Sequence, residues 1–182
     1  MIDLNELDSI VKSIDVDINE EDVLNFLKIS KRWPFRYPWG QPSVEILCQN
    51  NFLESNHFFN LDNFLDFEKW KKFYDLGFTT VISNVLDLNN DLRQINKKLT
   101  DATGLKINGN FYFSKPGKKP SFNSHAHHYA VIVKQIYGTA EWKIDNEVFI
   151  LNSKETCIIT PNTIHQVLSK NENKLSLTIN IQ

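Results

Sequence analysis

Three of the five histidines in this sequence lie within one run of six residues, and two of them have the spacing to bind one metal ion. The run reads Ser124-His125-Ala126-His127-His128-Tyr129. Successive side chains of an extended strand point to opposite faces, so His125 and His127 project to the same side with Cα atoms about 7 Å apart. Two imidazoles at that spacing can reach one ion at about 2.0–2.2 Å, whereas His128 points away. The run therefore predicts two metal ligands.

A third ligand has to come from another segment, and the candidate is His165. It follows Pro161 in a stretch that reads as a turn leading into a new strand. The alternative is that these histidines are surface or structural residues, but four of the five lie in these two segments and only His57 lies elsewhere. Imidazole suits iron, zinc, nickel and copper, so the residues alone leave the metal open. Zinc with three histidines and water would support hydrolysis or lyase chemistry.

The elements that carry these histidines are predicted to be β-strands, because the hydrophobic period changes to two from Ile107 onward. Turn-forming pairs such as Pro116-Gly117 and Gly138-Thr139 separate the strands. About seven short strands joined by tight turns indicate a sandwich or a closed barrel, since an open sheet of that size leaves exposed edges. The predicted strands cover 107–114, 123–137, 140–144, 148–151, 156–160, 164–169 and 175–181.

The first hundred residues have mostly helical periodicity. Asn19, followed by three acidic residues, is typical of a helix N-cap. The segment 33–42 has three prolines and four aromatic residues, which exclude regular structure, and we expect it to wrap the domain or to form the lip of a substrate site. We therefore divide the chain into a helical extension over 1–76 and a barrel over 77–182. Predicted helices cover 4–14, 19–29, 62–76 and 89–103, and a further strand covers 79–85.

The composition is that of an ordinary globular protein, with 182 residues, 41% of them hydrophobic and 23% charged. A net charge of −2 provides no basic surface for nucleic acid or an anionic membrane. Cys48 and Cys157 are too few for a disulfide framework, and we expect both to be small buried hydrophobes. The acidic N-terminus lacks the features of a signal peptide, and no apolar run is long enough to span a membrane. We therefore expect a cytoplasmic protein.

A set of motifs with characteristic spacing runs through the predicted barrel. Asn110-Phe111-Tyr112-Phe113-Ser114-Lys115-Pro116-Gly117 is followed by His125-Ala126-His127 and by Val131-Ile132-Val133-Lys134-Gln135. Gly138 and Trp142 come next, and the turn from Pro161 to His165 completes the set. Over 77–182 this arrangement resembles the JmjC/cupin-like oxygenases, particularly those of the ribosomal-oxygenase type. The resemblance implies a mainly β fold, a double-stranded β-helix (cupin or jelly-roll) barrel with the N-terminal helices packed on it.

Two residues depart from the pattern of that family. The acidic metal ligand is replaced by His127, so the ligand set has three neutral imidazoles. Members that use 2-oxoglutarate have a lysine just after the glycine turn that binds the distal carboxylate of this co-substrate, and here that position is Ala140. Tyr112 and Asn180 match positions that line the co-substrate pocket in relatives. Lysines of the preceding loop could replace the missing charge, namely Lys115, Lys118 or Lys119.

The leading hypothesis from the sequence is a mononuclear non-haem iron oxygenase. We expect Fe(II) to be held by the three histidines and O2 to be one substrate. We expect the other substrate to be a small molecule, because the sequence lacks the long C-terminal region of ribosomal-oxygenase relatives. Similar three-histidine cupins activate dioxygen without 2-oxoglutarate, with the substrate bound to the metal. Tyr129 lies two residues after His127, so in an extended strand it points to the same side, and it is the candidate to hydrogen-bond a bound ligand. A role as an aromatic residue packed inside the barrel fits the sequence equally well. Other predicted pocket residues are Asn110, Tyr112, Gln135, Trp142 and Asn180, with a core role as the alternative for Gln135 and Trp142.

Two other functions remain open at this stage. One is a 2-oxoglutarate-dependent hydroxylase whose lysine anchor has moved. The other is a cupin that binds metal or a small molecule without turnover. A homodimer is also conceivable, because cupins often pair through barrel edges.

Overall fold

The fold is built from two antiparallel sheets that face each other. A computed structural model of the protein describes residues 3–32, 42–117, 121–169 and 172–182. The larger sheet has seven strands in the order β2-β1-β3-β4-β10-β5-β8, and the smaller sheet has three in the order β7-β6-β9. The strands are β1 Ser43–Cys48, β2 Asn51–Phe52, β3 Thr79–Ser83, β4 Ile107–Ser114, β5 Ala130–Tyr137, β6 Ala140–Ile144, β7 Glu147–Leu151, β8 Thr156–Ile159, β9 His165–Ser169 and β10 Lys174–Ile181.

The predicted helices are confirmed, with small shifts at their ends. They are α1 Leu4–Ser13, α2 Glu20–Lys28, α3 Phe67–Asp75 and α4 Asn90–Thr103, with a 3₁₀ turn at Ser55–His57. Asn19 caps α2 as predicted, since its side chain accepts the Asp22 N–H while the Asp22 carboxylate accepts the Asn19 N–H. Helix α3 begins five residues later than predicted, because Asp66 rather than an earlier residue caps it.

The structure departs from the predicted elements in the first 76 residues and before β5. The first 76 residues are not entirely helical, because β1 pairs with β3 and thereby extends the larger sheet. The strand predicted over 123–137 begins only at Ala130, and the histidine run before it is irregular. Residues 33–41 of the predicted wrapping segment lie outside the described residues. The division of the chain at residue 76 stays a prediction.

The two faces of the larger sheet have different neighbours. On β10, the buried residues Leu175, Leu177 and Ile179 belong to the apolar core that the sheet shares with the helices. The alternate residues Lys174, Ser176 and Thr178 line a cavity on the opposite face. That cavity lies between the larger and smaller sheets, whose facing side chains form a second apolar cluster of Val131, Val133, Ala140, Trp142, Leu151 and Ile159. Period-two alternation therefore divides β10 between a core and a cavity.

A tight turn at Gly138 joins β5 to β6. Gly138 has a φ of +71°, which favours glycine, and a Cβ at this position would lie 2.2 Å from the carbonyl oxygen of Asn173. The turn therefore needs glycine both for its conformation and for its close approach to the chain just before β10.

Cys157 packs against the second cluster, and burial raises the pKa of its thiol to about 12. Its predicted role as a small hydrophobe fits this environment. No helix within the described parts of the chain has the length and apolar character needed to cross a membrane.

Candidate metal centre

The three predicted metal ligands are brought together by a single pair of backbone hydrogen bonds. The His125 N–H donates to the His165 carbonyl at 3.1 Å, and the His165 N–H donates to the His125 carbonyl at 2.8 Å. This bridge lies outside any ladder and sets the histidine run beside the start of β9. His127, two residues further along the chain, is fixed by a backbone hydrogen bond in which its carbonyl accepts the Asn162 N–H at 2.6 Å.

The three imidazole rings converge. Each offers a nitrogen, and these nitrogens all lie within 4.8 Å of one another. The ring centroids of His125 and His165 are 4.4 Å apart, and that of His127 lies 4.9 Å from the first and 5.1 Å from the second. Three nitrogens in such a triangle can share an ion at about 2.0–2.1 Å with small side-chain adjustments. His128 is exposed, as predicted.

Hydrogen bonds orient two of the rings. Nδ1 of His125 lies 2.7 Å from the Asn123 carbonyl oxygen, and Nδ1 of His165 lies 2.9 Å from the Thr163 carbonyl oxygen. A carbonyl oxygen only accepts, so Nδ1 carries the proton in both rings and Nε2 keeps its lone pair. Metal-bound histidines commonly have this second hydrogen bond, which fixes the tautomer of the ring. The ring of His127 instead stacks on Tyr129, with centroids 4.9 Å apart and planes inclined by 8°.

The surroundings keep the imidazoles of His127 and His165 neutral. Burial, followed by the neighbouring His125, His165 and His128, lowers the pKa of His127 from 6.5 to about 4. Burial is also the main cause that lowers the pKa of His165, which is 4% exposed. A neutral imidazole is the form that binds a metal. The three histidines therefore have the geometry of a ligand set, and His127 and His165 also have its protonation state.

A cavity of about 140 Å³ opens beside the histidines. Of the predicted pocket residues, Tyr112 and Trp142 line it, together with His125 and His127. Burial raises the pKa of Tyr112 to about 12, so its hydroxyl stays protonated. The buried Trp142 Nε1–H has no hydrogen-bond acceptor among the described residues. The remaining lining residues are Ser121, Phe122, Val167, Lys174, Ser176 and Thr178.

The other predicted site residues lie near this cavity but are not among the residues that line it. Gln135 is fully buried and supports the wall, because its side-chain carbonyl accepts the Ser176 hydroxyl proton at 2.8 Å. Asn110 and Asn180 continue the same faces of β4 and β10, and the buried Asn110 Oδ1 has no partner among the described residues. Tyr129 borders a separate surface pocket with His128. Roles in binding for these four residues stay predictions.

Sequence reasoning missed a buried cation in the cavity wall. Lys174 is 3% exposed and lines the cavity, and its ammonium donates to the Ser176 hydroxyl at 2.8 Å. The signal was present in the sequence, because Lys174, Ser176 and Thr178 alternate with leucines and isoleucine along one strand. When a strand lies in the centre of a sheet, polar residues at every second position indicate that this face of the strand borders a polar cavity rather than solvent.

Of the three lysines proposed from the sequence as a replacement anchor, Lys115 is described by the structure and does not line the cavity. Lys115 pairs with Asp75 of α3 and lies over the ring of Tyr74, which is 5.2 Å from its ammonium. Its charge is therefore used on the helical side of the sheet. Lys118 and Lys119 lie outside the described residues. Ala140, at the usual lysine position, is buried in the cluster between the sheets.

Comparison with known proteins supports the fold. No protein-family model matches the sequence, and no curated protein matches it. YcfD, a ribosomal oxygenase from Escherichia coli, superposes on 92% of this chain and 44% of its own, with a TM-score of 0.59 and 13% identity. Its complex with cobalt and succinic acid matches with the same coverage and TM-score at 12% identity. An RmlC-like cupin from Shewanella frigidimarina matches over 41% of this chain and 65% of its own, with a TM-score of 0.38 and 12% identity.

These likenesses concern the fold. This chain spans less than half the length of the ribosomal oxygenase, so the activity of that enzyme is not carried over with the fold. The double-stranded β-helix predicted from the sequence is confirmed, and with it the paired sheets that enclose the histidines.

Proposed function

This chain has the cupin/JmjC-like fold, and we propose that it is a mononuclear metal-dependent oxygenase acting on a small molecule. His125, His127 and His165 are its metal ligands. The observation that carries the proposal is their convergence, with one nitrogen of each within 4.8 Å of the others beside a cavity between the sheets. The two Nδ1–carbonyl hydrogen bonds leave Nε2 as the nitrogen available to a metal in His125 and His165.

The ligand set favours an anionic substrate. Three neutral imidazoles leave a divalent ion with a local charge of about +2, whereas two imidazoles and a carboxylate would leave about +1. Fe(II) is the first choice by resemblance, and when bound it would supply redox chemistry with dioxygen; zinc and nickel suit the same ligands. The chain's own residues bind and orient: Tyr112 and Trp142 present buried donors to the cavity, and the apolar cluster behind them excludes water.

The ligand assignment is tested by metal binding with matched histidine variants. Cobalt(II) titration of the chelator-treated protein should produce visible d–d absorption with a stoichiometry of one. His125→Ala, His127→Ala and His165→Ala should each weaken cobalt binding by at least about 100-fold, because each removes one of three protein ligands. His128→Ala is the control, since it lies in the same run but is exposed. Wild-type affinity in all three ligand variants would reject the site.

Turnover is tested separately from binding. The iron-loaded protein should consume oxygen with a substrate drawn from a panel of small carboxylates, thiols and amino acids, and His165→Ala should abolish this uptake. Metal bound in full by the three histidines, with no oxygen uptake and zinc as the metal retained on purification, would instead favour a binding or hydrolytic cupin.

A second candidate function is favoured by Lys174. A buried ammonium in the cavity wall, held by Ser176, is suited to bind a carboxylate, so we also consider a 2-oxoglutarate-dependent hydroxylase whose anchor is Lys174. Adding 2-oxoglutarate to the anaerobic iron-loaded protein should then give a visible charge-transfer band, and succinate should form in air. Lys174→Met should raise the 2-oxoglutarate concentration for half-saturation at least about tenfold, because the variant loses a charge-assisted hydrogen bond to the co-substrate. Lys115→Met, outside the cavity, should leave it unchanged. Absence of both band and succinate rejects this candidate.

A further inference from the structure

The smaller sheet has an open edge at β7. In the order β7-β6-β9, the only strand of the described residues that pairs with β7 is β6. Among the described residues, no backbone hydrogen bond from outside the sheet involves the residues of β7. An open edge is a row of N–H and C=O groups that can pair with another strand.

The side chains of this edge are apolar as well. The sequence of β7 is Glu147-Val148-Phe149-Ile150-Leu151, without the lysine or proline that commonly protects an edge strand. Val148 and Ile150 are each 54% exposed, whereas Phe149 and Leu151 point into the cluster between the sheets. An exposed, apolar edge of high β-propensity aggregates unless it has a defined partner.

The exposed side chains and the open backbone groups belong to the same two residues. β6 and β7 are joined by the two-residue turn Asp145-Asn146, so the flanking pair Ile144 and Glu147 is hydrogen-bonded. Because hydrogen-bonded and non-hydrogen-bonded pairs alternate, Val148 and Ile150 turn their N–H and C=O groups away from β6. Each of the two residues therefore offers a partner both hydrogen bonds and apolar surface.

We propose that this protein forms a two-fold symmetric dimer in which the β7 strands of two copies pair antiparallel, centred on Phe149. Val148 then lies opposite Ile150 of the second copy, and the two smaller sheets become one sheet of six strands. A two-fold axis makes the interface self-complementary, since each contact is made twice. Cross-strand pairs of β-branched residues are among the most stabilising in sheets.

The charges around the edge are compatible with this register. Lys143 lies beside Val148, and Glu141 lies beside Ile150. In the dimer, each apolar row therefore starts at a lysine of one copy and ends at a glutamate of the other, so the row brings no like charges together. Glu147 lies opposite Leu151 of the second copy rather than opposite its own equivalent. The rim is thus polar and the centre apolar, as in specific interfaces.

The other three sheet edges offer less. β9 is bridged at its first residue, His165, by His125 and lies beside the histidine run. β2 has only two residues. Beside β8, helix α1 is held by a hydrogen bond between Asp8 and the Thr156 hydroxyl, so that strand already has a neighbour. The β7 edge is therefore the one at which a second copy of this chain gains both hydrogen bonds and apolar contacts.

Sedimentation velocity over a wide concentration range tests the dimer. Wild-type protein should sediment as a dimer that dissociates on dilution, and Val148→Lys and Ile150→Lys should each raise the dimer dissociation constant at least about tenfold. Ile29→Lys is the matched control, because Ile29 is 74% exposed at the end of α2 and lies on no sheet edge. A wild-type monomer at all concentrations, or a dimer unaffected by the edge lysines, overturns the proposal.

Hydrogen exchange gives a second readout that does not depend on folding of the variants. Circular dichroism confirms that the variants used in sedimentation are folded, whereas hydrogen exchange uses the wild-type protein alone. The amides of Val148 and Ile150 should then exchange slowly in the concentrated wild-type protein and at least about tenfold faster in dilute samples, since exchange requires the edge to open. Equal exchange at high and low concentration would show that these amides have no partner and would reject the β7 interface.

Discussion

Strand β10 carries two kinds of residue that alternate along it, and the contrast between its two faces separates stability from chemistry. One face consists of leucines and isoleucines that are at most 5% exposed and pack against the helices. The other holds a buried lysine, a serine and a threonine beside the three histidines. Both faces are largely buried, but only the second has charge and hydrogen-bonding groups that a ligand can use. The candidate functional groups on this face lie away from bulk solvent, where an electrostatic contact is stronger than in water.

The largest expected effect is on the apolar face. Leu177→Ala removes a fully buried side chain from the core and should lower the free energy of unfolding by about 2–5 kcal/mol. Urea denaturation followed by circular dichroism measures this, and the cobalt affinity of the folded variant should stay that of wild type. A loss of cobalt binding without a loss of stability would mean that the two faces are not separate in function.

An intermediate effect is expected from one hydroxyl on the cavity face. Ser176 donates to Gln135 and accepts from Lys174, so Ser176→Ala leaves two buried polar groups without this partner and should cost about 1–3 kcal/mol of unfolding free energy. Ser114→Ala is the matched control. Its hydroxyl is equally buried on the neighbouring strand and makes no hydrogen bond within the described residues, so its removal should be nearly neutral. Equal losses for both serines would show that the hydroxyl network does not contribute.

The smallest effect is a dependence on pH. The pKa of His127 is about 4 in the folded protein and 6.5 in its ordinary state, so below pH 6.5 the unfolded chain takes up a proton that the folded chain does not. The stability that neutral His127 contributes is complete above pH 6.5 and is lost as the pH falls toward 4. Melting temperatures of the metal-free protein from pH 7.5 to 4.5 measure this, and His127→Gln should flatten the profile.

The exposed neighbour provides the comparison for that measurement. His128→Gln removes a histidine from the same run without removing a buried one, so its profile should follow that of wild type. If His127→Gln and His128→Gln give the same slope, burial does not depress the pKa of His127.

The convergence of the three histidines could be predicted from the sequence, although the strand that was expected to carry His125 and His127 begins only after them. Alternation of side chains needs only an extended backbone, and the single bridge between His125 and His165 provides it without a ladder. The four helices were predictable from their caps and periodicity, as Asn19 and Asn89 illustrate. The strand β1 was not, because its position depends on pairing with β3, a contact between segments far apart in the chain.

The pocket was predicted less well than the ligands. Tyr112 and Trp142 line the cavity, but Tyr129 stacks on His127 and borders another pocket, although its spacing suggested the cavity. The direction of a side chain beyond Cβ depends on its neighbours in space, which the sequence does not list. Lys174 could not be predicted from the family pattern, because that pattern places the cation at position 140, whereas the buried lysine of this chain lies on the last strand.

The turn at Gly138 lies against the start of β10, the strand that carries the buried lysine of the cavity. A methyl group there would also lie 2.9 Å from the Cα of Lys174, so any other residue must push the first residue of β10 outward. An alanine at position 138 would thus shift the backbone that carries Lys174, and with it the ammonium in the cavity wall. Sequence variation at this single turn is therefore coupled to the electrostatics of the cavity, even though no atom of Gly138 lines it.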